Sequence, residues 1–119
     1  MKFTEEHEWL VVEGDLLVVG ITEHASTQLG DVVFVELPDV GREVEKGEEI
    51  VVIESVKAAS DICAPVDGEI VEVNQDIVDN PSLVNEDPLG AAWFFKIKVE
   101  DTSVIDGFMS ADEYKDYAG

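Results

Sequence analysis

The chain has 119 residues, 45% of them apolar, which is material for one compact domain with one core. Its 28 acidic side chains against 7 basic ones give a formal net charge of -21, which repels phosphate backbones and anionic membrane surfaces and excludes nucleic acid as a partner. No apolar run reaches the roughly 20 residues that cross a bilayer, because charges and glycines interrupt every valine-rich segment, and a membrane-spanning role falls away.

The opening Met1-Lys2-Phe3-Thr4-Glu5-Glu6 has neither a basic stretch leading into an apolar one nor the Arg-rich pattern of an organelle leader, so the chain reads as a cytoplasmic protein. Residues 9–12 and 16–20 are strands joined through Glu13-Gly14-Asp15, a short glycine-containing hairpin connection. Thr22 is placed to cap a short helix over residues 23–29, with Gly30 to stop it and Ala25 and Leu29 as its apolar stripe. Residues 31–37 follow as a strand ended by Pro38-Asp39.

The middle third carries an internal echo. Val44-Glu45-Lys46-Gly47-Glu48-Glu49-Ile50-Val51-Val52 returns as Val66-Asp67-Gly68-Glu69-Ile70-Val71-Glu72-Val73, each read as a turn glycine feeding a strand. Between them Cys63, flanked by Ile62 and Ala64, reads as a small buried hydrophobe, since it has no disulfide partner in the chain and no electropositive neighbourhood. Asn80-Pro81 and Asp87-Pro88 bound a loop, residues 93–99 form a further strand, and Ser110-Ala111-Asp112-Glu113 is a capping box opening a helix to about Tyr117. The class is mainly β, with 1–119 as a single domain and no linker within it.

Catalytic and metal motifs are missing. His7 and His24 lack the spacing of a zinc-protease helix, Gly41 and Gly47 lead into strands rather than phosphate-binding helices, and the abundant carboxylates read as solvated surface. No metal site is expected. What remains is Ile53-Glu54-Ser55-Val56-Lys57-Ala58-Ala59-Ser60-Asp61-Ile62, where a strand enters, small residues cluster and another strand leaves with Lys57 at the tip. The lysine has little bulk around it, so a modifying enzyme can approach closely, although an ordinary exposed hairpin lysine reads the same way.

Glu54-Ser55-Val56-Lys57-Ala58 with Ser60-Asp61 resembles the lipoylation motif of the glycine cleavage H proteins. The likeness runs through Glu6-His7-Glu8-Trp9, Val19-Gly20-Ile21-Thr22, the stretch from Leu29-Gly30-Asp31 to Leu37-Pro38, Lys46-Gly47, Gly68-Glu69-Ile70 and Asn85-Glu86-Asp87-Pro88. Biotin carriers place methionines on both sides of their lysine, and 2-oxoacid dehydrogenase lipoyl domains usually read Asp-Lys-Ala, so Val56-Lys57-Ala58 fits the H proteins better. The resemblance implies a flattened β-sandwich of the barrel-sandwich hybrid type, as in lipoyl and biotinyl carriers, with short peripheral helices.

It also implies a non-enzymatic carrier with lipoic acid in amide linkage to Lys57. The implied partners are a pyridoxal-phosphate glycine decarboxylase that loads an aminomethyl group, a tetrahydrofolate-dependent aminomethyltransferase that removes it, dihydrolipoamide dehydrogenase and a lipoate-attaching enzyme. Glu8 and Asp61 match positions along a groove for the loaded arm, where carboxylates can pair with its ammonium group, solvated charges being the alternative. Gln28 stands where some members have a histidine, and it forms hydrogen bonds without titrating. A lipoyl relay or store for 2-oxoacid dehydrogenases, and an unmodified acidic interaction module, are the competing readings. A monomer is expected, with no exposed apolar stripe.

Overall fold

In the computed structural model, which describes residues 1–118, nine strands form two antiparallel sheets. Six of them, β1 (Lys2–Phe3), β2 (Glu8–Glu13), β3 (Leu16–Ile21), β5 (Glu43–Val44), β8 (Gly68–Val73) and β9 (Phe95–Lys98), are ordered β1-β2-β3-β9-β8-β5. The other three, β4 (Val32–Glu36), β6 (Glu49–Ser55) and β7 (Ala59–Cys63), form a smaller sheet in the order β4-β6-β7. With extents of 37 × 35 × 22 Å, the molecule is the flattened sandwich expected.

Alternation builds the core. Leu10, Val19 and Phe95 lie in register on the inner face of the large sheet beside Leu17, Ile97 and Ile70, and all are 0% exposed. Val35, Val51 and Ile53 close the core from the small sheet. The echoed segments begin side by side, with Val44 paired to Gly68 in the large sheet, and then part, β6 to the small sheet and β8 in the large one. Their glycines differ in role. Gly47 makes a turn with φ of 89°, whereas Gly68 is already in β8, where a Cβ would collide with the Lys98 carbonyl oxygen.

The outer face of the large sheet carries a second apolar layer. Phe3, Trp9 and Val18 pack there against Tyr114 of α4 (Ala111–Ala118), and the Trp9 indole donates to the Pro88 carbonyl at 2.9 Å. The capping box forms reciprocally: Ser110 N–H donates to Glu113 Oε1 and Glu113 N–H to Ser110 Oγ. Paired backbone hydrogen bonds between Phe3 and Met109 bring the two ends of the chain together.

Helix α1 (Glu23–Leu29) has its expected cap, Thr22 Oγ1 accepting from Ala25 N–H. Ala25 and Leu29 pack half-buried against the core as expected, and the fully buried residue is Ser26, whose hydroxyl donates to the Val84 carbonyl and so enters the interior with its polarity satisfied. The stretch between the two prolines is not all loop. It contains α3 (Leu83–Glu86), preceded by α2 (Gln75–Asp79) with Asn74 as cap, each held by one fully buried residue, Ile77 or Val84. A 3-10 helix, Thr102–Gly107, follows β9, which begins at Phe95 rather than Trp93.

Candidate functional site

Lys57 stands at the tip of the β6–β7 hairpin, exposed to solvent. Ser55 shapes the tip. Its Oγ accepts from the N–H groups of Lys57 and Ala58, both at 3.2 Å, its hydroxyl donates to the Ala58 carbonyl, and its own N–H donates to the same carbonyl at 2.8 Å.

The lysine stem does not hang free. It lies over Gly30, where α1 ends with φ of 75°, and a Cβ at that glycine would stand 3.1 Å from Lys57 Cε and 3.5 Å from Nζ. Glycine thus provides both the backbone conformation and the room for the stem. Asn85 of α3 holds this shelf in place. Its Nδ2 donates to the Gly30 carbonyl at 2.7 Å and its Oδ1 accepts from Val32 N–H at 2.9 Å, while Val56 N–H donates to the Asp31 carbonyl at 3.0 Å. The sequence reads Gly30 only as the stop of α1 and does not single out Asn85, although they fall within the motifs Leu29-Gly30-Asp31 and Asn85-Glu86-Asp87-Pro88.

Glu8 is not a solvated charge. It is 3% exposed, Thr4 donates to its Oε1 at 3.2 Å, and its Oε2 is buried without a hydrogen-bond partner. Burial, with the neighbouring charge of Glu6, pushes its carboxyl up to about 8 from an ordinary 4.5. A buried carboxyl oxygen without a partner is costly unless a cation or donor reaches it.

Asp61, by contrast, is exposed, on the outer face of the small sheet opposite Val52 and in the row of Glu36. The two carboxyls do not hydrogen-bond to each other, but both charges act on Cys63. Cys63 is half-buried rather than buried, and desolvation followed by the charges of Glu6, Glu8, Glu49 and Asp61 raises its pKa, so it is a poor nucleophile. Gln28 is exposed on the last turn of α1, two residues before the Gly30 shelf.

Elsewhere, the His7 ring lies tilted against that of His24 with centroids 4.5 Å apart and shares a 2.7 Å hydrogen bond through Nδ1 with the Tyr114 hydroxyl. Burial, then the nearby His24, lowers the His7 pKa. Among the described residues no three His, Cys, Asp or Glu side chains are placed to hold a metal ion, and no helix is long and apolar enough to cross a membrane.

The flattened two-sheet sandwich, with a lysine exposed at a hairpin tip, is the architecture that the sequence resemblance implies for carriers of the lipoyl and biotinyl class. Comparison with known proteins specifies the class. The family model described as glycine cleavage H-protein matches residues 1–119. The chain is 55% identical over 113 residues to the glycine cleavage system H protein of Bradyrhizobium diazoefficiens, covering 95% of this chain and 93% of that protein. It is 53% identical over 116 residues to that of Alteromonas mediterranea, covering 97% and 90%. The crystal structure of a glycine cleavage system H protein from Mycobacterium marinum superposes with a TM-score of 0.86 at 40% identity, covering 97% of this chain and 93% of that one. The chain belongs to the glycine cleavage H-protein family, the lipoyl carriers of the glycine cleavage system, and is a carrier rather than a catalyst.

Proposed function

We propose that Lys57 Nζ is the lipoyl attachment point and that this single domain, working as a cytoplasmic monomer, shuttles an aminomethyl group from the glycine decarboxylase to the aminomethyltransferase. Dihydrolipoamide dehydrogenase then restores the disulfide, and a lipoate-attaching enzyme installs the group. The observation that carries the reading is the exposed Lys57 with its stem laid on the Gly30 shelf at a hairpin tip that Ser55 fixes.

The residues present fit a lipoyl group. Lys57 has an accessible Nζ, and the absence of a side chain at Gly30 leaves a track for a long stem. When bound, the lipoyl group supplies the disulfide chemistry that takes up and gives up the aminomethyl unit. The protein's share is positioning. Lys57 tethers the group and thereby raises its effective concentration at a docked partner. Glu8 offers a buried carboxyl that is largely neutral at pH 7, and an ammonium group brought beside Oε2 favours its charged form, with loss of a proton. Asp61 adds a solvent-exposed negative charge, and Gln28 adds hydrogen-bonding capacity near the shelf.

The test is the intact mass and peptide map of the protein after incubation with a lipoate ligase, ATP and lipoic acid. One lipoyl increment on the peptide containing Lys57, lost in Lys57→Arg, is the expected result. A folded protein that gains no increment from a ligase active on a control carrier overturns the reading and favours the acidic interaction module.

A further inference from the structure

The outer face of the small sheet carries apolar side chains that the described chain leaves uncovered. Phe34, Glu54 and Ala59 form one row across β4, β6 and β7, and Glu36, Val52 and Asp61 form the next. Regular alternation along β4 would turn every second residue inward, but the register shifts between Val32 and Phe34. Val32 and Val35 are buried, and both residues between them face water, Val33 at 56% and Phe34 at 43% exposure. Val56, beside Lys57, is 66% exposed. An apolar patch thus borders the lysine, with Glu36, Glu54 and Asp61 around it, where the sequence predicts no exposed apolar surface.

We infer that Val33, Phe34 and Val56 form the docking patch for the enzyme that acylates Lys57, a partner with an apolar surface bordered by basic side chains. The inference rests on the reading of Lys57 as the lipoyl attachment site. Acylation makes the neutral Nζ attack the carbonyl carbon of a lipoyl adenylate. The N–C bond forms, the bond from that carbon to the adenylate oxygen breaks, AMP leaves, and Nζ loses a proton. An unmodified lysine is short, so the enzyme performing this step must close over the residues flanking it. Later partners meet the end of a long arm and can stand further off. The patch lies where the first visitor must sit, and its acidic surround favours a basic rim on that visitor.

The test uses the full chain carrying Val33→Ala and Phe34→Ala together, with Val104→Ala, an exposed valine on the 3-10 helix, as control. Lipoylation of Lys57 by a lipoate ligase with ATP and lipoic acid is followed by mass. The KM for the protein substrate is expected to rise about tenfold with kcat unchanged and the thermal midpoint preserved, while the control matches the parent. If the double variant loses its unfolding transition, Phe34→Ala alone supplies the same readout. An unchanged KM in a folded variant overturns the docking patch and leaves the carrier reading intact. So does a defect that appears only when the preloaded protein is offered to the decarboxylase. A parent protein that is never lipoylated overturns the carrier reading and the patch together.

Discussion

The two sheets treat their outer faces in opposite ways. The large sheet is covered on both sides by its own chain: Phe3, Trp9 and Val18 lie beneath Tyr114 on the outside, and Leu10, Val19 and Phe95 face the core. The small sheet is covered on one side, and its other face shows Phe34 and Val33 to water beside the working lysine. The difference separates two duties within one sandwich. One sheet supplies stability, and the other supplies a surface whose burial is left to something else.

Substitutions sharpen that contrast. Trp9→Ala removes a nearly buried indole and its hydrogen bond to Pro88, and is expected to cost about 3–5 kcal/mol in urea unfolding. A loss under about 1 kcal/mol would show that the outer layer of the large sheet is not structural. Glu8→Gln probes the carboxyl buried on that same sheet. The folded carboxyl keeps its proton up to about pH 8 and the unfolded one releases it near 4.5, so parent stability falls as pH rises between those values. The variant does not titrate. It is expected to equal the parent near pH 4 and to exceed it by up to an order of 4 kcal/mol at pH 9, read as thermal midpoints across pH. A difference independent of pH would refute the raised carboxyl.

Gly30→Ala acts at the junction of α1 with the lysine. Its φ of 75° and ψ of -156° suit glycine, so a cost of about 1–3 kcal/mol is expected, together with slower lipoylation as the new methyl displaces the Lys57 stem. Normal acylation in that variant would mean that the shelf does not position the lysine. Phe34→Ala should change stability by less than about 0.5 kcal/mol despite the removal of an aromatic ring. A loss comparable to that of Trp9→Ala would erase the distinction between the sheets.

Much of this architecture is legible in the sequence because its signals are local. The Glu13-Gly14-Asp15 connection, the Thr22 cap and the Ser110–Glu113 box each need neighbours within a few residues, and each forms as expected. The hairpin tip at Lys57 belongs to the same group. What escapes is set by distant contacts. Helices α2 and α3 are too short to show a period and exist because Ile77 and Val84 reach the core. The burial of Glu8 depends on elements packed around β2, while its own neighbours read as a charged surface turn. The bulge that exposes Val33 leaves no mark in a run of valines, since Val32-Val33-Phe34-Val35 fits a regular buried strand equally well.

The turn that Ser55 makes has a consequence for anyone wishing to transplant the lysine. The hydrogen bonds of the Ser55 side chain all close within three residues, so that part of the loop's shape travels with residues 55–58 into any tight antiparallel hairpin, while the Val56 N–H bond to the Asp31 carbonyl stays behind. The bearing of the lysine does not travel with it, because Gly30 and Asn85 come from segments tens of residues away. A graft of the loop alone would yield a handle that can be grasped but points nowhere in particular.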